Sequence, residues 1–513
     1  MTMPRASVRV LRNSARLLTA RALGVAIHLV YLLIVARVLP GIELAALPVM
    51  NILNELGTRL SDLGMTSTCV QRGPELLSRG ERRQAAAMAR TAALIPFLIA
   101  SFVAAVLFWQ ADAVAVLLLK DVSVAPIVRL ICLGIAGYRL RTTSLQLLQA
   151  WQRFGLLGGL RVGNNLARLL SLGGYWLAGI EGLLATLVIG QWLLALVALV
   201  MLRDVLFAEM TLIAPLQLAR YSAPYYLNGF VRFGTMQADQ LLVGVVLLPE
   251  QLATYYVIRQ LFDFLVMYVD TLIDSFLPRL SELRAAGRER VIQAFRWTSR
   301  FLAVAVIPPC CIVASLSYPL LQVYGGARYL SANMPLATLA LAALFYASYS
   351  FYGAHVYALG RPMEHLGQES VGSLLNVGLG LLLVTGLGVQ GFALARLLSL
   401  LGATLFSAHL LRRSYPVRPD RQALGRVVWT VLAGCAAIVG GQLLFYRLWL
   451  APVYGLLGGA LFVLLYSRYL RDEDVALFES GLPAPLYRVT VQPLVGLRNR
   501  IWGEKRCPCD RER

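Results

Sequence analysis

The stretch GIELAALPVMNILNELGTRLSDLGMTSTC (41–69) decides the fold. It is mostly apolar and longer than the ~20 residues that a helix needs to span a bilayer. Asn51, Glu55, Arg59 and Asp62 interrupt it at spacings of four, four and three, so they share one helical face. A charge at the centre of a bilayer costs ~2.5–3.5 kcal/mol. The stretch therefore predicts a membrane-spanning helix whose polar face meets partners or a hydrated cavity.

A second polar stripe lies in VIRQLFDFLVMYVDTLIDS (257–275). When the first stripe is shifted by about 208 positions along the sequence, it superimposes on the second. The matching pairs are Asn51 and Arg259, Glu55 and Asp263, Asp62 and Asp270, and Thr66 and Asp274. Similar offsets relate Pro40 to Pro249, Gly80 to Gly287 and Gly182 to Gly391. We interpret this agreement as an internal repeat that carries the polar face in both copies.

The composition excludes a soluble protein. Hydrophobic residues make up 58% of the 513 residues and charged residues 14%, and the mean hydropathy is +0.67. Soluble proteins carry roughly 25% charged residues. The composition also excludes a disordered chain, which would be polar and highly charged. The remaining class is a polytopic membrane protein.

Apolar runs of spanning length predict an all-α protein with about fourteen transmembrane helices. They lie at roughly 14–39, 43–69, 86–109, 124–149, 156–179, 182–202, 219–247, 251–277, 297–318, 333–358, 366–387, 390–411, 425–446 and 450–467.

The net charge of +20 comes from 47 basic and 27 acidic residues. About 34 of the basic residues fall at one set of span ends, the arrangement that the positive-inside rule gives to cytoplasmic loops. Only Arg37, Lys120, Arg328 and Arg447 fall on the other side. We predict a multi-pass cell-membrane protein with both termini in the cytoplasm. The charge is explained without nucleic acid as a partner.

The repeat predicts the domain organisation. Each copy has six spans, an even number, so the two lobes are parallel and related by an axis along the membrane normal. The lobes cover 1–205 and 206–415, and the polar stripes line a central cavity. Spans 13 and 14 (416–467) are an addition, and a basic cytoplasmic tail follows at 468–513.

Further polar residues inside spans extend the candidate site. Span 7 carries Asn228, Arg232, Thr235 and Asp239 on one face, and other spans contain Arg139, Arg141, Arg168 and Arg396. Two interpretations stay open. The groups line a hydrated cavity, or they form ion pairs that hold the bundle, as the i,i+4 pairs Glu55–Arg59 and Arg259–Asp263 suggest.

Motifs of other chemistry are absent from the sequence. It contains no phosphate-binding loop, zinc-protease motif or calcium loop, and no segment outside the spans is long enough for a nucleotide-binding domain. We predict no catalytic residues, no metal site and no cofactor. Transport would then draw on a coupling ion, H⁺ or Na⁺, on the membrane potential, or on removal of the product.

Several phrases resemble polysaccharide transporters of the MOP (multidrug/oligosaccharidyl-lipid/polysaccharide) exporter superfamily. They are Ala36-Arg37-Val38-Leu39, Leu63-Gly64, LLQAWQRFG (147–155), Asp239-Gln240 with Gly244, FLPRLSEL (276–283), Tyr324-Gly325 with Tyr329, and ALGR (358–361). Together they extend the resemblance over about residues 14 to 412, nearly all of both lobes. The resemblance implies two six-helix lobes around a cavity lined by spans 1, 2, 7 and 8.

The resemblance also implies a task, which is to flip a polyprenyl-diphosphate-linked oligosaccharide from the cytoplasmic to the outer leaflet for surface glycan biosynthesis. Glycosyltransferases and a glycan polymerase are the implied partners. In this hypothesis the substrate-binding residues are Asn51, Arg59, Arg232, Arg259, Arg139, Arg168 and Arg396. The coupling or cavity acids are Glu55, Asp62, Asp239, Asp263, Asp270 and Asp274. The acid-rich span 8 departs from a uniformly cationic cavity and argues against a strongly anionic cargo.

Three alternatives remain. A multidrug antiporter of the same superfamily usually needs an acid in span 1, and none lies between Leu17 and Leu39. A peptidoglycan-precursor (lipid II) flippase shares the fourteen spans. An integral-membrane glycosyltransferase or polymerase usually carries a large external loop, and the longest one predicted here has about 15 residues.

Overall fold

The computed structural model describes residues 23–207, 211–283, 288–358, 362–414, 421–467, 475 and 492–499. All regular secondary structure in these ranges is helical, which confirms the all-α prediction. The start of span 1, the ALGR phrase from 359 onwards and most of the basic tail lie outside the described residues.

The first compact unit comprises Met1–Val257 and Ser373–Phe392. Its helices are α1 (Leu23–Val38), α2 (Gly41–Asp62), α3 (Met65–Ser78), α4 (Arg82–Trp109), α5 (Ala111–Leu119), α6 (Ala125–Ala150), α7 (Phe154–Met201), α8 (Arg203–Leu206), α9 (Pro215–Met236), α10 (Ala238–Val246) and the first nine residues of α11 (Pro249–Leu283).

The second compact unit comprises Ile258–Gly372 and Ala393–Arg513. It holds the rest of α11 and, in chain order, α12 (Arg288–Ser315), α13 (Ser317–Gly325), α14 (Asn333–Ala358), most of α15 (Pro362–Ser414), α16 (Arg421–Leu444), α17 (Ala451–Ser467) and α18 (Gln492–Leu497). The lobe boundaries at 205 and 415 stay predictions.

The helices follow the predicted spans closely. Span 10 and α14 share the bounds 333–358, and α4 ends at Trp109, where span 3 ends. Helix α7 covers spans 5 and 6 and is broken at Ala178 and Gly179, while α15 covers spans 11 and 12 and is broken at Gly388. About fourteen spans therefore agree with the helices described.

The helices sort by polarity as the stripes predicted. Eight described helical segments are long and apolar enough to cross a membrane, and α1 is a shorter apolar helix. Helices α2, α9, α10 and α11 are not among the eight, although they occupy spans 2, 7 and 8. Those are the spans whose apolar runs carry the intramembrane charges, so the charges lower the hydropathy of these helices.

The internal repeat is visible in the backbone. Helices α4 and α12 both have 28 residues, and α6 and α14 both have 26. The breaks at Gly179 (φ 61°) and Gly388 (φ 53°) lie 209 positions apart. A Cβ on Gly182 would lie 2.1 Å from the carbonyl oxygen of Gly174, and the equivalent Gly391 approaches Leu383 in the same way. Both copies thus turn by the same glycine-dependent hairpin.

The Leu63-Gly64 phrase ends α2. Leu63 (φ 48°) and Gly64 (φ 71°) both adopt the left-handed conformation, and α3 begins at the next residue. A Cβ on Gly64 would lie 2.3 Å from the carbonyl oxygen of Ser222 on α9. The Ser222 hydroxyl is 2.7 Å from that of Thr68 on α3, and both are buried. Only glycine permits this contact, which fixes the C-terminal end of α2 against α9.

Candidate functional site

The polar face of α2 lies within the first unit and is partly exposed. Arg59 Nη2 lies 3.5 Å from Glu55 Oε2, with side-chain exposures of 31% and 24%. The Tyr138 hydroxyl of α6 donates to Glu55 Oε1 at 2.8 Å. The i,i+4 pair predicted from the spacing therefore exists. Because the distance between Arg59 and Glu55 is long and both side chains are partly exposed, the Arg59 guanidinium can exchange Glu55 for another anion.

Asp62 has a different environment. Arg139 of α6 donates to Asp62 Oδ1 at 2.5 Å and to Thr66 Oγ1 at 2.7 Å, and the Thr66 hydroxyl donates to Asp62 at 2.7 Å. The Arg139 side chain is only 3% exposed. This triad satisfies a buried charge with a charged partner and a hydroxyl, as an intramembrane charge requires. Arg139 and Asp62 thus join α2 to α6.

A polar pocket lies entirely within the first unit. Its empty space is about 530 Å³ including an open mouth. The lining comes from α1, α2, α6, both arms of α7 and the start of α11, and consists of Tyr31, Leu47, Met50, Asn51, Asn54, Tyr138, Arg141, Asn164, Ala167, Arg168, Leu187, Gly190, Gln191 and Tyr256. Two guanidinium groups and four amide groups thus face one space among membrane-spanning helices.

Arg168 and Arg141 are held by aromatic and imidazole neighbours. Arg168 Nη1 lies 3.2 Å from His28 Nδ1, and the Arg141 guanidinium lies 5.0 Å from the centre of the Tyr138 ring. Arg141 is 8% exposed. A guanidinium over an aromatic face is attracted by the ring quadrupole, which partly offsets the cost of burial.

The polar residues of α9 and α10 divide into accessible and buried ones. Arg232 is exposed, whereas Asp239 is fully buried. The Tyr255 hydroxyl of α11 donates to Asp239 Oδ2 at 2.6 Å, and the backbone NH of Gln240 donates to Oδ1 at 3.0 Å. Asp239 is therefore a buried carboxylate that accepts hydrogen bonds from Tyr255 and from the backbone of Gln240.

The remaining predicted residues lie in the second unit. Arg259 Nε donates to Asp263 Oδ1 at 2.8 Å, with exposures of 2% and 40%. Arg259 and the buried Arg396 each lie 5.5 Å from the centre of the Phe262 ring. The Tyr346 hydroxyl donates to Asp270 at 2.6 Å. The side chain of Asp274 lies outside the described residues.

The structure brings only part of the predicted set together. Asn51 and Arg168 line the pocket, whereas Arg59, Glu55, Arg139 and Asp62 lie outside its lining. The sequence did not point to several of the lining residues: Tyr31, Asn54, Tyr138, Asn164 and Gln191. The available signal was polarity within apolar spans, which had already singled out Arg141. Among the described residues no group of three or more His, Cys, Asp or Glu could hold a metal ion.

The arrangement is suited to recognition by hydrogen bonds. Guanidinium groups bind carboxylates and phosphates with directed donors, and amides both donate and accept. Polar residues that cluster among apolar helices favour a water-accessible path for a hydrophilic group.

Comparison with known families gives one match. The profile of a family described as "Polysaccharide biosynthesis protein" matches residues 34–334, more than half of the chain. None of the curated proteins matches the chain significantly.

Solved structures share the fold. A structure titled "Lipid II flippase MurJ, inward closed conformation" matches with a TM-score of 0.74 and 14% identity, covering 90% of this chain and 99% of that one. An inward-facing multidrug resistance MATE family transporter of the MOP superfamily matches with a TM-score of 0.62 and 13% identity, over 76% and 95%. An outward-facing MATE family transporter gives 0.55 and 15%, over 78% and 94%. The MOP-type multi-pass fold predicted from the sequence is thereby confirmed.

Proposed function

Because the chain belongs to the family of polysaccharide biosynthesis proteins, matched over residues 34–334, and has the fold of MOP-superfamily transporters, we propose that it is a flippase. Its cargo would be a polyprenyl-diphosphate-linked oligosaccharide. It would move this lipid from the cytoplasmic to the outer leaflet by alternating access, for surface polysaccharide or glycan biosynthesis.

The observation that carries the proposal is the pocket of guanidinium and amide groups among membrane-spanning helices. An unpaired hydroxyl costs roughly 2–7 kcal/mol on transfer to an apolar medium, so a sugar head group cannot cross hydrocarbon unaided. Side chains that replace its hydrogen bonds to water remove that cost. A protein that only packed its helices together would use small residues and a few hydroxyls instead.

The accessible arginines are the proposed ligands for the diphosphate. Arg59 is 31% exposed and only loosely paired, and Arg232 is exposed on α9. A guanidinium binds phosphate oxygens in bidentate fashion. Arg259 is 2% exposed and bonded to Asp263. We therefore propose that it stabilises α11 and does not bind the cargo. We assign the same structural role to Arg139.

The acids are proposed to set the charge of the path and to take up the coupling ion. Glu55, Asp263 and Asp270 have partners that leave part of each side chain accessible. Asp239 is a fully buried carboxylate that accepts hydrogen bonds from the Tyr255 hydroxyl and the backbone NH of Gln240. Uptake of H⁺ or Na⁺ by a buried carboxylate would change the charge of the path, which makes Asp239 the first residue to test for ion coupling.

The site of action follows from the charge bias. We propose the cell membrane, with both termini cytoplasmic, because the basic residues collect at the cytoplasmic span ends. Glycosyltransferases would supply the lipid-linked cargo on the cytoplasmic side, and a glycan polymerase would use it outside.

A lipid II flippase is the second candidate. The fold likeness to the solved lipid II flippase covers 99% of that chain, and lipid II also joins a sugar head group to a lipid diphosphate. A multidrug antiporter is less well supported, because Arg141 and Arg168 in the pocket would repel organic cations.

Deletion of the gene in its own host separates these candidates. We expect loss of a surface polysaccharide and accumulation of its lipid-linked precursor, with cell-wall synthesis intact. The deletion strain is then complemented with variant genes. Arg59→Ala and Arg232→Ala should leave export impaired although the protein is present at normal levels. Arg79→Ala, at the exposed end of α3, should restore export. Lysis with intact surface polysaccharide would instead support lipid II. Incorporation of sugar from a sugar nucleotide by the purified chain would identify a glycosyltransferase.

A further inference from the structure

We propose that the pocket of the first unit is a subsite for one acidic sugar of the cargo. Arg141 and Arg168 would bind its carboxylate, and the amide groups would bind its hydroxyls. This inference rests on the proposed function and adds the substrate class to it, because it requires a hexuronate or a related hydroxylated monoanion within the oligosaccharide.

Unpartnered buried atoms specify what the pocket lacks. Asn54 is 2% exposed, and Arg141 and Gln191 are each 8% exposed. Asn54 Oδ1, Gln191 Oε1 and Arg141 Nε have no hydrogen-bond partner among the described residues. All three residues line the pocket. Buried polar atoms are nearly always paired, so this space is built for a ligand that supplies both a donor and an acceptor.

A hydroxylated anion meets both needs. The Arg141 Nε–H needs an acceptor, which a carboxylate oxygen provides. The side-chain oxygens of Asn54 and Gln191 need donors, which hydroxyl groups provide. An ionised phosphate has acceptor oxygens only, so it would leave both amide oxygens unpaired. A hydroxyl satisfies either end of an amide, because it both donates and accepts.

The charge of the lining favours one negative group. Arg141 and Arg168 are its two guanidinium groups, and it contains no Asp or Glu. Glu55 lies behind Tyr138, whose hydroxyl donates to it, and is paired with Arg59. The charge of Glu55 is therefore already balanced by Arg59, and the two guanidinium groups of the lining remain available for an anion. The acids of the second unit are not part of the lining, so the pocket stays cationic although α11 is acid-rich.

The shape of the pocket suits the edge of a sugar ring. Its cavity volume is about 40 Å³, which admits a small polar group but not a branched glycan. The rest of the sugar would occupy the open mouth. Tyr31 and Tyr256, which are 2% and 3% exposed, and Tyr138 also line the pocket and offer aromatic surface to the C–H groups of a sugar.

The test is a ligand titration of the purified full-length protein in detergent micelles. Sodium glucuronate, glucose and sodium phosphate are added separately at constant ionic strength, and both the melting temperature and saturation-transfer NMR of the ligand are recorded. We expect saturable binding of glucuronate, none of glucose, and binding of phosphate at least tenfold weaker.

Two variants locate the site. Arg141→Gln should weaken glucuronate binding at least tenfold, because it removes a charged hydrogen bond. Gln191→Glu keeps the side-chain volume and adds a negative charge, so it should abolish binding even if Arg141→Gln proves unstable. Arg129→Gln is the matched control on the same helix, since Arg129 pairs with Asp112 and both are exposed. It should bind as the wild type does.

Each contrary outcome overturns the proposal. Absence of saturable glucuronate binding would mean that water alone satisfies the pocket. Phosphate binding as tight as glucuronate would make it a diphosphate site, and equal losses in Arg129→Gln and Arg141→Gln would place binding elsewhere. Flipping by a protein that does not bind glucuronate would overturn the subsite alone. Binding without flipping would overturn the proposed function alone.

Discussion

Replacement of Arg139 by methionine tests whether the α2–α6 triad is structural. Arg139 is 3% exposed and Asp62 is 19% exposed, with 2.5 Å between Arg139 Nη2 and Asp62 Oδ1. Removing one partner of a buried ion pair costs ~3–5 kcal/mol. Asp62 keeps the Thr66 hydroxyl and some access to water, so we expect the low end, about 3 kcal/mol. At ~2 °C per kcal/mol, the melting temperature would fall by roughly 6 °C.

The matched control is Arg79→Met. Arg79 and Glu75 are 2.6 Å apart but 62% and 54% exposed, and an exposed pair contributes ~0–1 kcal/mol. Thermal unfolding of both variants would be followed by intrinsic fluorescence in the same detergent. Replacing Asp62 by leucine together with Arg139→Met removes both charges, so the double variant should lose less than the sum of the two single variants.

Equal melting temperatures for Arg139→Met and Arg79→Met would show that the Arg139–Asp62 pair does not stabilise the fold. If Arg139→Met were also stable but unable to export glycan, Arg139 would be a cargo ligand, as the sequence first suggested. We expect instead that export by Arg139→Met falls only in proportion to the amount of folded protein.

Two further predictions concern the backbone and pH. Gly64→Ala should greatly reduce the yield of monodisperse protein in size-exclusion chromatography, because its Cβ would lie 2.3 Å from the carbonyl oxygen of Ser222. Gly80→Ala is the control and should fold, because Gly80 also has a positive φ but its Cβ would have no atom within 4 Å. Equal yields would contradict this close approach. Asp204, in α8 outside the spans, has its pKa lowered chiefly by hydrogen bonds from Arg153. Its contribution to stability is therefore present above the unfolded pKa of ~3.9 and is lost as pH falls through the lower folded value. The melting temperature of Asp204→Asn should thus fall less than that of the wild type between pH 6 and pH 3; equal falls would contradict the pairing.

The helices could be predicted from the sequence because the thickness of a bilayer sets their length. The end of α4 at Trp109 and both ends of α14 follow from apolar runs alone. The hairpin break at Gly388 lies in the predicted gap between spans 11 and 12, and the break at Gly179 lies at the last residue of predicted span 5. Helices α5 and α13 were not predicted, since nine residues are too few for a periodic pattern to stand out from a loop.

The site was predicted less completely, because contacts between helices are not encoded in local spacing. The i,i+4 pairs Glu55–Arg59 and Arg259–Asp263 follow from position and are present. The bond between Asp62 and Arg139 joins residues 77 positions apart, and no spacing rule indicates it. For the same reason, polarity alone marked Arg141 as unusual but did not associate it with Gln191.

Flipping by the purified protein in liposomes tests the central claim most directly. The vesicles would contain the host's lipid-linked oligosaccharide in both leaflets, and an external enzyme that cannot cross the membrane would modify only the outer copy. We expect that the wild-type protein makes the inner copy accessible with time, and that Arg232→Ala does so more slowly. This expectation would be contradicted if the inner copy stayed protected, as in vesicles without protein.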